Sequence, residues 1–309
     1  MLSFARMDAR ARRATGAWIG GPVALCLGAC AAHPPPVGAA TPQPMTAALP
    51  TASRPADPSA AGRVWPIPLD GPDGLSGFAP RNEGRFGLDR LHLEHTEAGA
   101  AGAPTTFLRA DYPRGSASPA VGVATGAPGG GAQFLATRPS SPADHLFLRY
   151  RVRFAEGFAF VKGGKLPGFY GGRMISGGHI PDGTDGFSTR FMWRAGGAGE
   201  VYAYLPSSRI WGTSLGRGSF RFTTGRWQCL EQELSLNTPG RADGVVRVWL
   251  DDQPVLSQEH LTFRTVAALR IEGVFFSTFF GGNDASWASP VDTHADFADF
   301  AVGERRIGC

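Results

Sequence analysis

Leu146-Phe147-Leu148-Arg149-Tyr150-Arg151-Val152-Arg153-Phe154 puts apolar side chains at 146, 148, 150, 152 and 154 and arginines at 149, 151 and 153. A repeat of two belongs to an extended strand, whose successive side chains point to opposite faces. One face of this segment is therefore made for a core and the other for solvent. Residues 187–194, 200–205, 244–250 and 271–280 read as further strands, and Asp-Gly, Gly-Gly and Pro-Gly pairs between segments supply tight turns. With 43 glycines, 11% aromatics and no helical run of any length, residues 63–309 predict one all-β domain, a sandwich without internal repeats.

The chain ahead of that domain has a different character. Arg6, Arg10, Arg12 and Arg13 precede an apolar run from Ala17 to Leu27, which ends in Leu27-Gly28-Ala29-Cys30. This is a lipobox pattern, suited to cleavage before Cys30 and lipid attachment to it. It predicts a lipoprotein signal peptide over residues 1–30, export, and a membrane-anchored protein facing the periplasm or the cell surface. The competing readings are an ordinary signal cut near Ala32 and a membrane anchor, for which the run is short; Arg12-Arg13 also hints at twin-arginine export. Residues 31–62 are mostly Ala, Pro, Thr and Ser, a composition that cannot bury a core and reads as an extended tether.

The formal charge of +4 suggests a polyanion partner until it is divided along the chain. Residues 1–30 alone carry four arginines and one aspartate, so the remainder is nearly neutral and a nucleic-acid partner loses its support. Residues 149–226 hold twelve Lys or Arg against four acids, whereas residues 227–309 hold six against twelve. A basic segment of that kind can attract an acidic substrate. Cys26 falls in the signal and Cys30 is the lipidation site, which leaves Cys229 and Cys309 to pair as a disulfide in an oxidising compartment or to remain two separate thiols.

Among 28 arginines there are two lysines, Lys162 and Lys165, and both lie in Phe160-Val161-Lys162-Gly163-Gly164-Lys165-Leu166-Pro167-Gly168-Phe169. Guanidinium serves where only charge is wanted, while an ammonium can be desolvated and made to exchange protons. The stretch reads as a Gly-rich loop with two lysines available for chemistry. Nearby, period two in 187–194 puts Ser188, Arg190, Met192 and Arg194 on one face, and in 200–205 it puts Glu200, Tyr202 and Tyr204 opposite the apolar Val201, Ala203 and Leu205. A hairpin through the glycines at 196–199 superposes the two polar faces, giving a surface over which the lysine loop can close. Such a set suits β-elimination of a polyuronate, in which cations neutralise a carboxylate and a tyrosine whose pKa is lowered by them exchanges protons. The same residues also fit structural tyrosines beside ordinary surface arginines.

Several blocks resemble polysaccharide lyase family 14, the alginate lyases of β-jelly-roll fold, with which the glucuronan lyases share the fold. They are Lys162-Gly163-Gly164-Lys165-Leu166-Pro167-Gly168-Phe169-Tyr170-Gly171-Gly172, Ser188-Thr189-Arg190, Tyr202-Ala203-Tyr204-Leu205-Pro206, Leu236-Asn237-Thr238-Pro239-Gly240 and Phe276-Ser277-Thr278-Phe279-Phe280-Gly281-Gly282, spanning about residues 145–300. The resemblance implies a jelly roll of two antiparallel sheets and a lyase of alginate- or glucuronan-type polymers. It makes Lys165 the catalytic lysine, Ser188 and Arg190 the pair that fixes substrate, and Tyr202 and Tyr204 the catalytic tyrosines. Lys162, Arg194 and His179 are further candidates for holding carboxylates, His179 being also readable as a proton carrier or as a solvated loop residue. Residues 63–144 match none of these blocks and are expected to shape the cleft.

Two rivals come from other classes. Glu231 and Glu233, two apart on one strand, form the acid pair of a hypothetical glycoside hydrolase, and a non-catalytic carbohydrate-binding module can share the fold. Asp284, Asp292, Asp296 and Asp299 are possible oxygen ligands for Ca²⁺, but their spacing fits no loop pattern. The expectation is a monomer without metal or cofactor.

Overall fold

The computed structural model describes residues 62–96, 102–137 and 141–309. The proposed signal peptide, lipidation at Cys30 and all of the tether except Gly62 lie outside the described residues. In chain order the strands are β1 (Val64–Pro66), β2 (Leu91–His95), β3 (Thr106–Tyr112), β4 (Ala132–Ala136), β5 (His145–Phe154), β6 (Gly163–Gly172) and β7 (Gly186–Arg194). They continue as β8 (Ala198–Tyr204), β9 (Thr213–Arg221), β10 (Gln228–Ser235), β11 (Gly244–Leu250), β12 (Gln253–Leu261), β13 (Gly273–Phe280) and β14 (Thr293–Gly303). A short helix, α1 (Pro119–Thr125), is capped by Ser118.

The strands form two antiparallel sheets of a jelly roll. The first has the order β12-β11-β10-β5-β14-β3-β2, with β1 paired to the far half of β14, and the second has the order β4-β13-β6-β7-β8-β9. The alternation in 146–154 sorts as its period demands. Leu146, Leu148, Tyr150, Val152 and Phe154 are buried in the core, each apolar side chain of this size contributing about 1.5–3 kcal/mol. On the other face Arg153 joins Arg109 in clasping the buried Asp296.

Aromatic rings fill the space between the sheets. Phe154, Phe158, Trp193 and Phe280 meet edge-on, tilted or stacked at 4.9–5.6 Å between centroids, geometries that add to plain area burial. A few polar bonds then link one sheet to the other. Gln232 donates to the Thr189 carbonyl at 3.0 Å and accepts from the Thr189 hydroxyl at 3.2 Å, and the Tyr150 hydroxyl donates to the Pro167 carbonyl at 3.1 Å. These bonds hold β7 and β6 from behind, on the side opposite Arg190 and Lys165, and a satisfied buried network specifies one arrangement of the sheets.

The glycine-rich lysine stretch is a strand from Gly163 onward, not a loop. Its glycines serve close packing: a Cβ on Gly164 would lie 2.0 Å from the Trp193 ring, and one on Gly168 would lie 2.1 Å from the Thr189 carbonyl oxygen. Composition alone suggested a loop because it does not reveal how closely two neighbours approach. At the other end of the chain Cys229 and Cys309 form a disulfide. Glu231 accepts the Ile307 and Gly308 amides at 2.6 and 3.2 Å, so the last residues are fastened to the first sheet.

Candidate active site

The outward face of the second sheet carries the polar residues of β7 and β8. Ser188 pairs in register with Tyr204, Arg190 with Tyr202, and Met192 with Glu200. On the other side of β7, Lys165 of β6 pairs with Met192. Alternation sends Phe187, Phe191, Trp193, Val201 and Ala203 into the core, which leaves the polar set together on one face.

The set is largely buried and is not the open surface that alternation suggested. Arg190 is 1% exposed, and Ser188, Glu200 and Tyr204 are also buried. Arg190 donates from Nη1 to Ser277 Oγ at 3.0 Å, its Cζ lies 4.4 Å from the centre of the Phe275 ring, and its Nε has no partner. Burial pushes its pKa from 12.5 down to about 10, with Tyr204 and Tyr202 opposing; it is still a cation at neutral pH. Among the described residues no carboxylate pairs with it. A buried guanidinium without an anion is costly, and it is a ready receptor for one.

Lys165 Nζ donates to Met192 Sδ at 2.9 Å and stands 4.2 Å from the centre of the Tyr202 ring. Burial, and then Arg190 and Arg194, hold its pKa well below the ordinary 10.5, while Glu200 pulls the other way. Neither a thioether nor a ring face neutralises an ammonium as a carboxylate does. Tyr202 shifts in the opposite sense. Burial raises its pKa to about 12 although Arg194 and Arg190 lower it, so the expected acidification of this tyrosine by neighbouring cations is outweighed by desolvation. The Tyr202 and Tyr204 rings meet edge-on at 5.7 Å. The Tyr204 hydroxyl accepts the Gly178 amide at 3.0 Å, which leaves its own proton free to be donated.

The remaining candidates are dispersed. Ser188 donates its hydroxyl proton to the Ile175 carbonyl at 2.8 Å, tying down the loop after β6. Arg194 is engaged by Glu200, from Nε at 2.8 Å and Nη2 at 2.5 Å, and Arg217 holds the other carboxylate oxygen at 2.7 Å. Its charge is thus already met within the protein, unlike that of Arg190. Lys162 is exposed on the turn before β6, 2.5 Å from Ser286 Oγ. His179 is exposed on the loop after β6 and pairs with Asp185 at 2.8 Å.

Sequence reasoning missed the support under Arg190. Ser277 of β13 accepts from Arg190 and donates to Gln133 of β4 at 3.2 Å, and Gln133 in turn donates to the Gly84 carbonyl at 3.0 Å. Gln133 in apolar β4 and the Ser277-Thr278 pair in apolar β13 were the available signal. Residues 80–86 run beside this edge, bridging Pro80 to Ala136 and Phe86 to Gln133.

The acids raised for other chemistries have other partners. Glu231 and Glu233 point outward from the first sheet, away from Arg190 and Lys165 on the second, Glu231 holding the C-terminal amides and Glu233 bonding His145 and Arg247. Asp284 caps Ser286, Asp292 accepts the Arg114 amide, Asp296 binds Arg109 and Arg153, and Asp299 pairs with Arg151.

A family model described as polysaccharide lyase 14 matches residues 101–300. The crystal structure of a marine PL-14 alginate lyase from Aplysia kurodai is similar at 32% identity and a TM-score of 0.63, covering 74% of this chain and 92% of that one. An alginate lyase from Chlorella virus shares the fold at 22% identity and a TM-score of 0.57, covering 70% of this chain and 93% of its own. No curated protein matches by sequence.

Proposed function

The chain belongs to polysaccharide lyase family 14, and from that premise we propose that it cleaves an acidic polyuronate of the alginate or glucuronan type by β-elimination. The observation that carries this reading is Arg190, a buried cation with which no carboxylate among the described residues pairs, on the same sheet face as Lys165 and two tyrosines. A uronate C6 carboxylate is the anion this guanidinium lacks. Neutralising it makes the C5 proton acidic and stabilises the negative charge that develops as that proton leaves.

The environments of the titrating groups divide the two proton transfers. Lys165, held low, is the better supplied with its neutral amine and takes the C5 proton; the released electron pair forms the C4–C5 double bond as the C4–O4 bond breaks. Tyr202, held up at about 12, retains its proton until the departing O4 accepts it. Tyr204, with its oxygen fixed by the Gly178 amide, orients the leaving sugar through its remaining O–H. Arg194 and Arg217 pair with the two oxygens of Glu200, so that this carboxylate is not left to repel the substrate at that end. The relative from Aplysia kurodai is an alginate lyase, which supports the substrate class.

The proposal extends to location. On the Leu27-Gly28-Ala29-Cys30 pattern, the enzyme is exported and held to a membrane by a lipid on Cys30, with residues 31–62 as its tether. The test of function is incubation of residues 63–309 with a panel of polyuronates while near-ultraviolet absorbance is followed. Elimination creates a conjugated unsaturated uronyl end. Binding without a rise in absorbance on any polymer would instead make this a carbohydrate-binding module.

A further inference from the structure

One exposed aromatic beside the two tyrosines takes no part in the elimination chemistry. Between β8 and β9 the chain turns through residues 205–212, where Ile210 is 73% and Trp211 49% exposed. The base of this loop is held firmly: Ser208 Oγ accepts the Leu205 amide at 3.1 Å and bonds the Thr213 hydroxyl at 2.9 Å. The exposure of Trp211 thus belongs to an anchored turn.

Its position is set by two glycines. A Cβ on Gly212 would come within 2.8 Å of the Tyr202 ring and 3.0 Å of the Tyr204 ring, and one on Gly178 would lie 3.1 Å from Trp211 Cζ3. Gly178 is the residue whose amide donates to the Tyr204 hydroxyl. The indole therefore stands directly beyond that hydroxyl's hydrogen-bond donor, with half its surface in water. Arg209, also exposed, makes no ion pair among the described residues.

We propose that Trp211 is a stacking platform for the uronate ring adjacent to the scissile bond on the Tyr204 side, with Arg209 adding positive charge for that ring's carboxylate. The C–H face of a pyranose is the apolar surface a flat indole can cover, and Trp provides that area at low conformational cost. The site belongs to the lyase reading above and deepens it. Its contribution is to binding, so it should be seen in KM and should grow with the length of the oligouronate.

The experiment compares Trp211→Ala and Trp211→Phe with wild type on oligouronates of increasing length, following the unsaturated product. Direct binding of the same oligouronates is measured by calorimetry in a Tyr202→Phe background. Trp211→Ala should raise KM and weaken binding by about tenfold on the longer oligomers, with kcat changed far less, and Trp211→Phe should recover most of the loss. A fall in kcat at constant KM, or failure of phenylalanine to rescue, would assign the indole to positioning Gly178 and overturn the proposal. So would wild-type self-association in sedimentation that Trp211→Ala abolishes, since the face would then cover a second copy of the chain. If wild type forms no unsaturated product but its oligouronate binding depends on Trp211, elimination fails and the platform stands.

Discussion

Replacing Arg190 with methionine should make this protein more stable while nearly abolishing its activity. Burial lowers the Arg190 pKa from 12.5 to about 10, and at 1.36 kcal/mol per unit the folded state carries a penalty of about 3 kcal/mol for keeping this cation dry. The penalty is constant below the lowered pKa, because both folded and unfolded chains are then protonated. It fades only as pH rises through 10 toward 12.5. Against it stands the contact with Phe275 at 4.4 Å, worth about 1–2 kcal/mol when desolvated, part of which a methionine sulfur restores on the same ring. Ser277 keeps its bond to Gln133. The net expectation is a gain of about 1–3 kcal/mol, or roughly 2–4 °C in Tm per kcal/mol for a domain of this size. Activity should fall about 10²–10³-fold through loss of carboxylate neutralisation. Calorimetric melting and the ultraviolet elimination assay on one preparation decide the matter. A melting temperature several degrees below wild type, or activity within tenfold of it, would refute the view that Arg190 is an unpaired charge kept for substrate.

Lys165→Arg keeps the charge but cannot give up a proton, so kcat should drop by about 10²-fold or more; full activity would remove Lys165 as the base. In wild type, kcat/KM should rise with pH as Lys165 deprotonates, with its inflection below the ordinary 10.5, and decline as Tyr202 ionises toward about 12; a rate independent of pH across that span contradicts both roles. Loss of the Cys229–Cys309 bridge, which closes an 80-residue separation, should cost about 2–5 kcal/mol. Cleavage measured well below the melting point should be unaffected, because Cys229 lies on the sheet opposite the one that carries Lys165, Arg190 and the tyrosines. Glu200→Gln should cost about 3–5 kcal/mol in denaturant unfolding, since it strips two arginines of their buried carboxylate. Cys30→Ala should release the full-length chain from membranes or block its processing, read by fractionation and mass.

Local pattern settled the hairpin at the heart of this protein. The period-two alternation in 187–194 and 200–205 puts Ser188, Arg190, Tyr202 and Tyr204 on a common face, and their cross-strand pairs follow once the chain turns at 196–199. Register in a hairpin depends on nearby residues and on which face is apolar, and both are written in the chain. The block Leu236-Asn237-Thr238-Pro239-Gly240 was equally visible as a motif, yet Asn237 organises a turn, bonding the Thr238, Arg241 and Arg264 carbonyls. Long-range packing decided the rest. The lysine stretch became a strand because β13 and β7 close on either side of it, and Ser277, 87 residues after Arg190, bonds both Arg190 and Gln133, which precedes Ser277 by 144 residues. The titration of the site was decided in the same way. Alternation shows which charges are neighbours, but desolvation depends on how much distant chain excludes water above them. That exclusion lowers Lys165, raises Tyr202 and leaves Arg190 as a buried cation with no anion among the described residues.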